Sequence, residues 1–318
     1  MTLRVAVFGA GAIGSFYGAR LSDGGADVSL IARGRQLDAL RERGLSIEEP
    51  EGDRTYRLVA TDDPVTVGPV DVVLFTVKSY DTTEAAGRLA PLLHEGTAVI
   101  SLQNGIDNED RIAVAIGRRH VVGGAAYILA SVREPGIVQA GGPRGIVIGE
   151  LEAGPPSDRI RAIVDVGERA GLSIRASDDI RIALWEKYTL LVAFSAMTGT
   201  VRLPIGAIRE APAATAMLRG LMTEVWSVGR GTGVPLADDL VERQMSLLLA
   251  QDAAATTSLY HDLVGGHRME LEALQGTAIR LGREHGVLTP NLDAAYAILQ
   301  PWAIRNERPV PDRTPMPG

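Results

Sequence analysis

The 318-residue sequence contains no cysteine. That absence removes disulfides, thiolate catalysis and cysteine metal sites together. Histidine is scarce, with five residues and no HxxH or HExxH spacing, so no metal centre is expected. Positive charge is not in excess. The 32 Lys and Arg stand against 39 Asp and Glu, a net charge of −7, which argues against a broad nucleic-acid surface while leaving room for a local basic pocket. Long apolar runs are missing too. The longest, around residues 188–197, is too short to span a bilayer. The apolar start MTLRVAVFGAGAIG could imitate a signal peptide, but its glycines fall at helix-opening spacing and no small-residue cleavage site closes it. The expectation is a cytoplasmic protein of one or two domains, with the 46% hydrophobic and 22% charged composition of an ordinary globular chain.

What is present is ordered. The first half alternates strand and helix signals: strands at 3–8, 28–32, 70–77 and 98–102, helices at 12–22, 35–43, 82–93 and 110–116. Segments 45–49 and 55–60 read as a polar hairpin insert. Residues 121–132, 137–140 and 145–149 read as further strands, followed by a helix at 157–170. Alternating βαβ units predict a mainly parallel sheet with helices on both faces. After about residue 178 only helical patterns remain, at 180–197, 213–231, 236–249, 266–285 and 292–302. The expected division is a dinucleotide-binding domain at 1–177, an all-helical domain at 178–305 and a Pro-rich, charged, disordered tail at 306–318. Apolar stripes on the long helices are compatible with a homodimer.

The sharpest motif is GAGAIG, comprising Gly9, Ala10, Gly11, Ala12, Ile13 and Gly14. GxGxxG alone is weak, but here it follows a strand and opens a helix, the context in which backbone N–H groups receive a pyrophosphate. An NAD-binding chain tends to carry Asp or Glu about 20 residues further on, to hold the ribose 2′-hydroxyl. This chain ends its second strand with IARGR, placing Arg33 where that acid would stand. A guanidinium suits a 2′-phosphate, so NADP(H) is the expected cofactor. Arg35 reads equally as a second phosphate ligand or as a solvated helix-start residue.

The stretch ALWEKYTLLVAFSAM (183–197) raises a different question, because it sets Lys187 near the head of an apolar helix. A buried ammonium is costly unless paired or used, while a lysine in a first turn can reach the surface along its own stem. Taken alone, the stretch favours the surface reading, since lysine is rarely fully buried.

The stretches VAVFGAGAIGSFYGARL, FTVKSYDT, SLQNGIDNED, LWEKY and TTSLYHDLVGGHRMELEALQG, in this order from residue 5 to residue 276, resemble the ketopantoate reductase (2-dehydropantoate 2-reductase) family. The resemblance implies a Rossmann-type doubly wound α/β domain followed by an all-α domain of the 6-phosphogluconate dehydrogenase C-terminal type, with the active site in the cleft between them. It implies NADPH-dependent reduction of a small 2-oxo acid, 2-dehydropantoate to pantoate, as in pantothenate biosynthesis. By resemblance, Lys187 is the general acid and Glu270 its acidic partner, both touching substrate. Ser258 contacts substrate, Asn104 lies near nicotinamide and substrate, and Lys78 belongs to the cofactor side of the cleft. Read without the family, Glu270 is a surface helix residue, Ser258 a helix cap, and Asn104 with Gly105 an ordinary turn.

The departures concern substrate. The family pattern has asparagines four and eight residues after the lysine, and a third after a proline beyond that helix. Here those positions hold Leu191, Ser195 and Ile205. Ser195 is the remaining polar candidate on that wall, and Arg202 and Arg209 bracket Ile205. A family member reducing a less polar 2-oxo acid is therefore one alternative, and a non-catalytic NADP(H)-binding module is another. A 6-phosphogluconate or hydroxyisobutyrate type dehydrogenase would share the architecture, but its substrate motifs are not found.

Overall fold

The computed structural model describes residues 2–307. Two compact units emerge: residues up to 103 together with 107–183, and residues 104–106 together with those from 184 onward. The sequence texture sets its boundary at 177, whereas this division falls at Ala183. The disordered tail expected at 306–318 lies, from 308 onward, outside the described residues.

The first unit is built on one ten-stranded sheet. Its strands are β1 (Arg4–Phe8), β2 (Asp27–Ile31), β3 (Leu45–Glu48), β4 (Arg54–Tyr56), β5 (Val59–Thr61), β6 (Val72–Phe75), β7 (Ala98–Ser101), β8 (Val121–Glu134), β9 (Ile137–Glu150) and β10 (Ser173–Ala176). The order is β4-β3-β9-β8-β7-β6-β1-β2-β5, with β10 beside β9. From β5 to β8 all neighbours are parallel. This run has the doubly wound order, in which the chain reverses between β1 and β6, and ligands bind beyond the carboxyl ends of strands at such a reversal.

The strands are buried on both faces, and a period of two sorts their side chains. Val5, Val7, Val72, Leu74, Ala98 and Ile100 join one core with Phe16 and Leu21 of α1 (Ala12–Asp23). Ala6, Phe8, Val73, Phe75 and Val99 point the other way, to a core with Leu89 and Ile112. The remaining helices of this unit are α2 (Gly34–Glu42), α3 (Thr82–Ala86), α4 (Asn108–Ile116) and α5 (Asp158–Arg169).

Three expectations need correction. The segment at 45–60 is not a self-contained hairpin. β3 and β4 do pair antiparallel, but β3 also runs parallel to β9, while Val59–Thr61 leaves to pair with β2. Residues 137–140 and 145–149 belong to one strand, β9, which stays paired to β8 across a register shift between Tyr127 and Leu129. Glycine at 141 and 142 hides this continuity in the sequence, and Gly142 has a positive φ of 68°. Finally, the helix expected from 82 to 93 is only α3, with a short 3-10 turn at 90–92.

The second unit contains most of α6 (Ile180–Val201), then α7 (Ile205–Glu210), α8 (Pro212–Gly231), α9 (Leu240–Leu249), α10 (Ser258–Val264), α11 (Thr277–Glu284) and α12 (Pro290–Glu307). Trp185 packs so closely on α8 that a Cβ at Gly229 would lie 2.8 Å from its ring. Buried Glu224 of α8 caps α12, accepting hydrogen bonds from the N–H groups of Asn291 at 2.8 Å and Leu292 at 2.9 Å. No helix among the described residues is long and apolar enough to cross a membrane.

Candidate active site

The glycine loop sits at the carboxyl end of β1. Gly9 has φ +103°, a conformation glycine adopts without a Cβ penalty. A Cβ on Gly14 would stand 2.3 Å from Thr76 Oγ1 and 2.6 Å from Val7 Cγ1, so only glycine lets α1 approach the strands this closely. Gly11 differs. Its Cβ would meet nothing nearer than the Gly9 carbonyl at 4.0 Å, and it caps α1 with no side-chain hydrogen bond. The loop is held from outside by Gln36, whose amide donates to the Ala10 carbonyl at 2.9 Å and accepts from Gly136 N–H at 2.9 Å. An open helix N-terminus with free space over the middle glycine fits a dinucleotide pyrophosphate.

Arg33 follows β2 and caps α2. Its side chain is 79% exposed, and its Nη2 donates to Asp81 Oδ2 at 2.9 Å. Asp81 ends the short turn after β6 that Lys78 begins, and Lys78 is exposed. Asn104 follows β7 and Gln103, and is half-buried. Gln103 ties the two loops together: its Nε2 donates to the Val77 carbonyl at 2.9 Å and to Thr82 Oγ1 at 2.8 Å. Thr82 in turn donates to Asn108 Oδ1 at 3.2 Å. Beside this network lies Glu109, whose carboxyl is pushed up to about 7, chiefly by burial, with Asp110 and Asp107 adding to the rise. Neither Asp81, Gln103 nor Glu109 was singled out by the sequence reading. Their signal is no more than polar residues just after a strand end or in the first turn of a helix.

In the helical unit, Lys187 lies in the second turn of α6 and is half-buried, while Glu270 is 8% exposed. The expected helix from 266 starts only at Leu271, and Glu272–Gly276 forms a π-helical turn, a feature frequent at functional sites. Tyr188 Oη donates to the carbonyls of Ala273, at 3.3 Å, and Leu274. Gln275 Nε2 donates to the Val192 carbonyl at 3.1 Å and to Ser195 Oγ at 2.8 Å. These bonds align the two segments in the same direction, so Glu270, just before the π turn, is carried toward the Lys187 end of α6.

Ser195 is differently placed from expectation. It is fully buried, its hydroxyl donates to the Val192 carbonyl at 3.1 Å, and Gln275 occupies it from the other side. Helical spacing put it on the lysine face but could not show what packs over it. Leu191 is half-buried and Ile205 buried. Ser258 is exposed at the start of α10, where the cap is Thr257 rather than Ser258. Arg202 has φ +55° and lays its guanidinium over the Trp302 ring at 4.7 Å. Arg209 holds the Leu249 carbonyl at the end of α9, at 2.7 Å.

A doubly wound sheet with an open glycine loop at its reversal places the first unit in the class of dinucleotide-binding folds. Comparison with known proteins narrows the class. Residues 5–153 match the family model described as ketopantoate reductase PanE/ApbA, and residues 179–303 match its C-terminal model. The 2-dehydropantoate 2-reductase of Halobacterium salinarum is 31% identical over 290 residues, covering 91% of this chain and 95% of that one. The solved PanE/ApbA family ketopantoate reductase of Ralstonia eutropha superposes with a TM-score of 0.87 at 31% identity, covering 96% of this chain and all of that one. The chain belongs to the ketopantoate reductase family and is an oxidoreductase. A D-mandelate dehydrogenase solved with NADH and anilino(oxo)acetate shares the fold, with a TM-score of 0.87 at 20% identity over 96% of this chain and 99% of that one.

Proposed function

We propose that the protein reduces a 2-oxo acid to the 2-hydroxy acid with NADPH, using Lys187 as proton donor. The observation that supports this reading is the hydrogen bonding of α6 to the π turn, with Lys187 half-buried on α6 beside Tyr188 and Glu270 buried just before the turn. The chemistry NADPH would supply when held by the glycine loop is a hydride for the carbonyl carbon. Lys187 delivers the proton to the carbonyl oxygen and, while charged, stabilises the negative charge that develops there. Glu270 orients that ammonium and the substrate. Gly9, Ala10, Gly11, Ala12, Ile13 and Gly14 hold the pyrophosphate, Arg33 the 2′-phosphate, and Lys78 and Asn104 the nicotinamide side; Asn104 and Ser258 also meet substrate. The fold is compatible with either dinucleotide, since the D-mandelate dehydrogenase of the same fold was solved with NADH. The choice therefore falls to side chains, and Arg33 in place of an acid supports NADPH.

Among 2-oxo acids, 2-dehydropantoate is the first candidate, from the names of the relatives. A second reading, a less polar substrate, draws support from the sequestration of Ser195 by Gln275 and from Leu191 and Ile205 at the family's asparagine positions. Two unpaired substrate oxygens would cost about 1–3 kcal/mol each. The test is NADPH oxidation across a panel containing 2-dehydropantoate, its 4-deoxy analogue and branched 2-oxo acids, with Lys187→Ala alongside. Lys187→Ala is expected to lower kcat by roughly 10²–10⁴ with NADPH affinity unchanged. Near-normal turnover of that variant would remove the proton-donor reading. A large advantage for 2-dehydropantoate over its 4-deoxy analogue would remove the less polar substrate.

A further inference from the structure

The Arg33 side chain has an internal partner that its proposed role does not need. Its guanidinium is 79% exposed, yet it is already engaged by Asp81, whose side chain is 27% exposed and comes from 48 residues away in sequence. A guanidinium presents its donors in a fixed planar fork, and carboxylates and phosphates seek that same fork. Asp81 is thus an anion that already holds one arm of the fork Arg33 would offer to another, through Nη2.

We propose that Asp81 is a specificity-determining residue: by occupying Arg33 it narrows the preference for a 2′-phosphorylated dinucleotide over the unphosphorylated one. This rests on the reading of Arg33 as the 2′-phosphate ligand. With an unphosphorylated ribose, the Arg33–Asp81 pair can stay closed at no cost. With a 2′-phosphate, either the pair opens, or a carboxylate and a phosphate share one guanidinium at the separation of hydrogen-bonded neighbours, where like charges repel. The penalty falls on one cofactor only. An exposed ion pair is worth about 0.2–1 kcal/mol, which converts to roughly 1.5- to 5-fold in a dissociation constant.

The test is fluorescence titration of the full chain with NADPH and with NADH, in the unmodified protein, Asp81→Asn, Arg33→Ala and the double variant. Asp81→Asn is expected to raise the affinity ratio of NADPH to NADH by about 1.5- to 5-fold, with the gain shrinking as ionic strength rises. Because Asp81 acts through Arg33, the gain should vanish in the Arg33→Ala background. A ratio that is unchanged or falls in Asp81→Asn overturns the inference, and so does a gain that persists without Arg33. If Arg33→Ala itself leaves NADPH affinity untouched, the phosphate reading of Arg33 fails first. If it weakens NADPH while Asp81→Asn does nothing, only the role given to Asp81 fails.

Discussion

Tyr188→Phe removes one oxygen atom and tests whether the π turn positions the site. In the native chain the Tyr188 hydroxyl is the donor to the carbonyls of Ala273 and Leu274, and the residue is 2% exposed, so water does not replace it. The ring itself is retained by phenylalanine. It keeps its edge-on packing against Trp185, with centroids 5.5 Å apart and planes at 89°, so the loss is that of the hydrogen bond alone. The carbonyls keep their helical partners, Leu274 that of the Thr277 N–H, so losing this one buried hydrogen bond costs about 0.5–1.5 kcal/mol. The local consequence is relaxation of the π turn, two residues beyond Glu270. A displacement of about 1 Å in a catalytic group can cost as much as 10²-fold, so a fall in kcat of about 10-fold is expected. Urea unfolding followed by tryptophan fluorescence reads the stability change where it occurs, since all three tryptophans, Trp185, Trp226 and Trp302, lie in α6, α8 and α12. Stability unchanged to within about 0.5 kcal/mol would refute the hydrogen-bond assignment. A stability loss with unaltered kcat would refute the link from π turn to chemistry.

Two further outcomes separate structure from ligand elsewhere. Gly14→Ala forces a Cβ against Thr76, Val7 and the Gly9 carbonyl, and should destabilise the first unit by about 1–3 kcal/mol as well as weaken dinucleotide binding. Gly11→Ala, whose Cβ enters open space, should leave stability nearly unchanged and weaken binding alone; calorimetric titration beside thermal unfolding distinguishes the pair. Burial holds the Glu109 carboxyl at about 7 against an ordinary 4.5. A raised folded value means its contribution to stability is complete below 4.5 and is lost as pH rises through 7, because the folded state retains the proton longer. Glu109→Gln should flatten that decline, measured by urea unfolding at about pH 5 and about pH 8.

The sequence made the sheet legible wherever periodicity and local punctuation suffice. The β-branched runs at 70–77 and 98–102 and the glycine loop were placed from these signals, because burial on both faces and a tight strand-to-helix turn leave direct marks on composition. What escaped depends on distant partners. Segment 45–48 looks like half of a local hairpin, and only β9 shows its second neighbour. Ser195 shares a helical face with Lys187, but Gln275, eighty residues later, decides that its hydroxyl is consumed. Arg202 brackets Ile205 in the sequence, but only the fold sets Trp302, a hundred residues later, beneath its guanidinium. For Lys187 and Glu270 the family resemblance supplies the proposed roles. The helix periodicity of 266–285 gives no sign of the π turn at Glu272–Gly276.

The placement of β3 has a cost during synthesis. Ser46–Glu48 pairs with Ile137–Gln139, so the strand leaves the ribosome about 90 residues before its parallel partner exists. At about 5–20 residues per second, that leaves an edge waiting for several seconds or more. Such an edge can recruit a neighbouring nascent chain. Glu48 and Glu49 at its end, and Arg54 and Thr55 on its local partner β4, make the waiting hairpin polar and charged. Replacing exposed Arg54 and Thr55 with apolar β-formers would leave the finished sheet's pairing pattern intact while lowering the yield of chains that reach it.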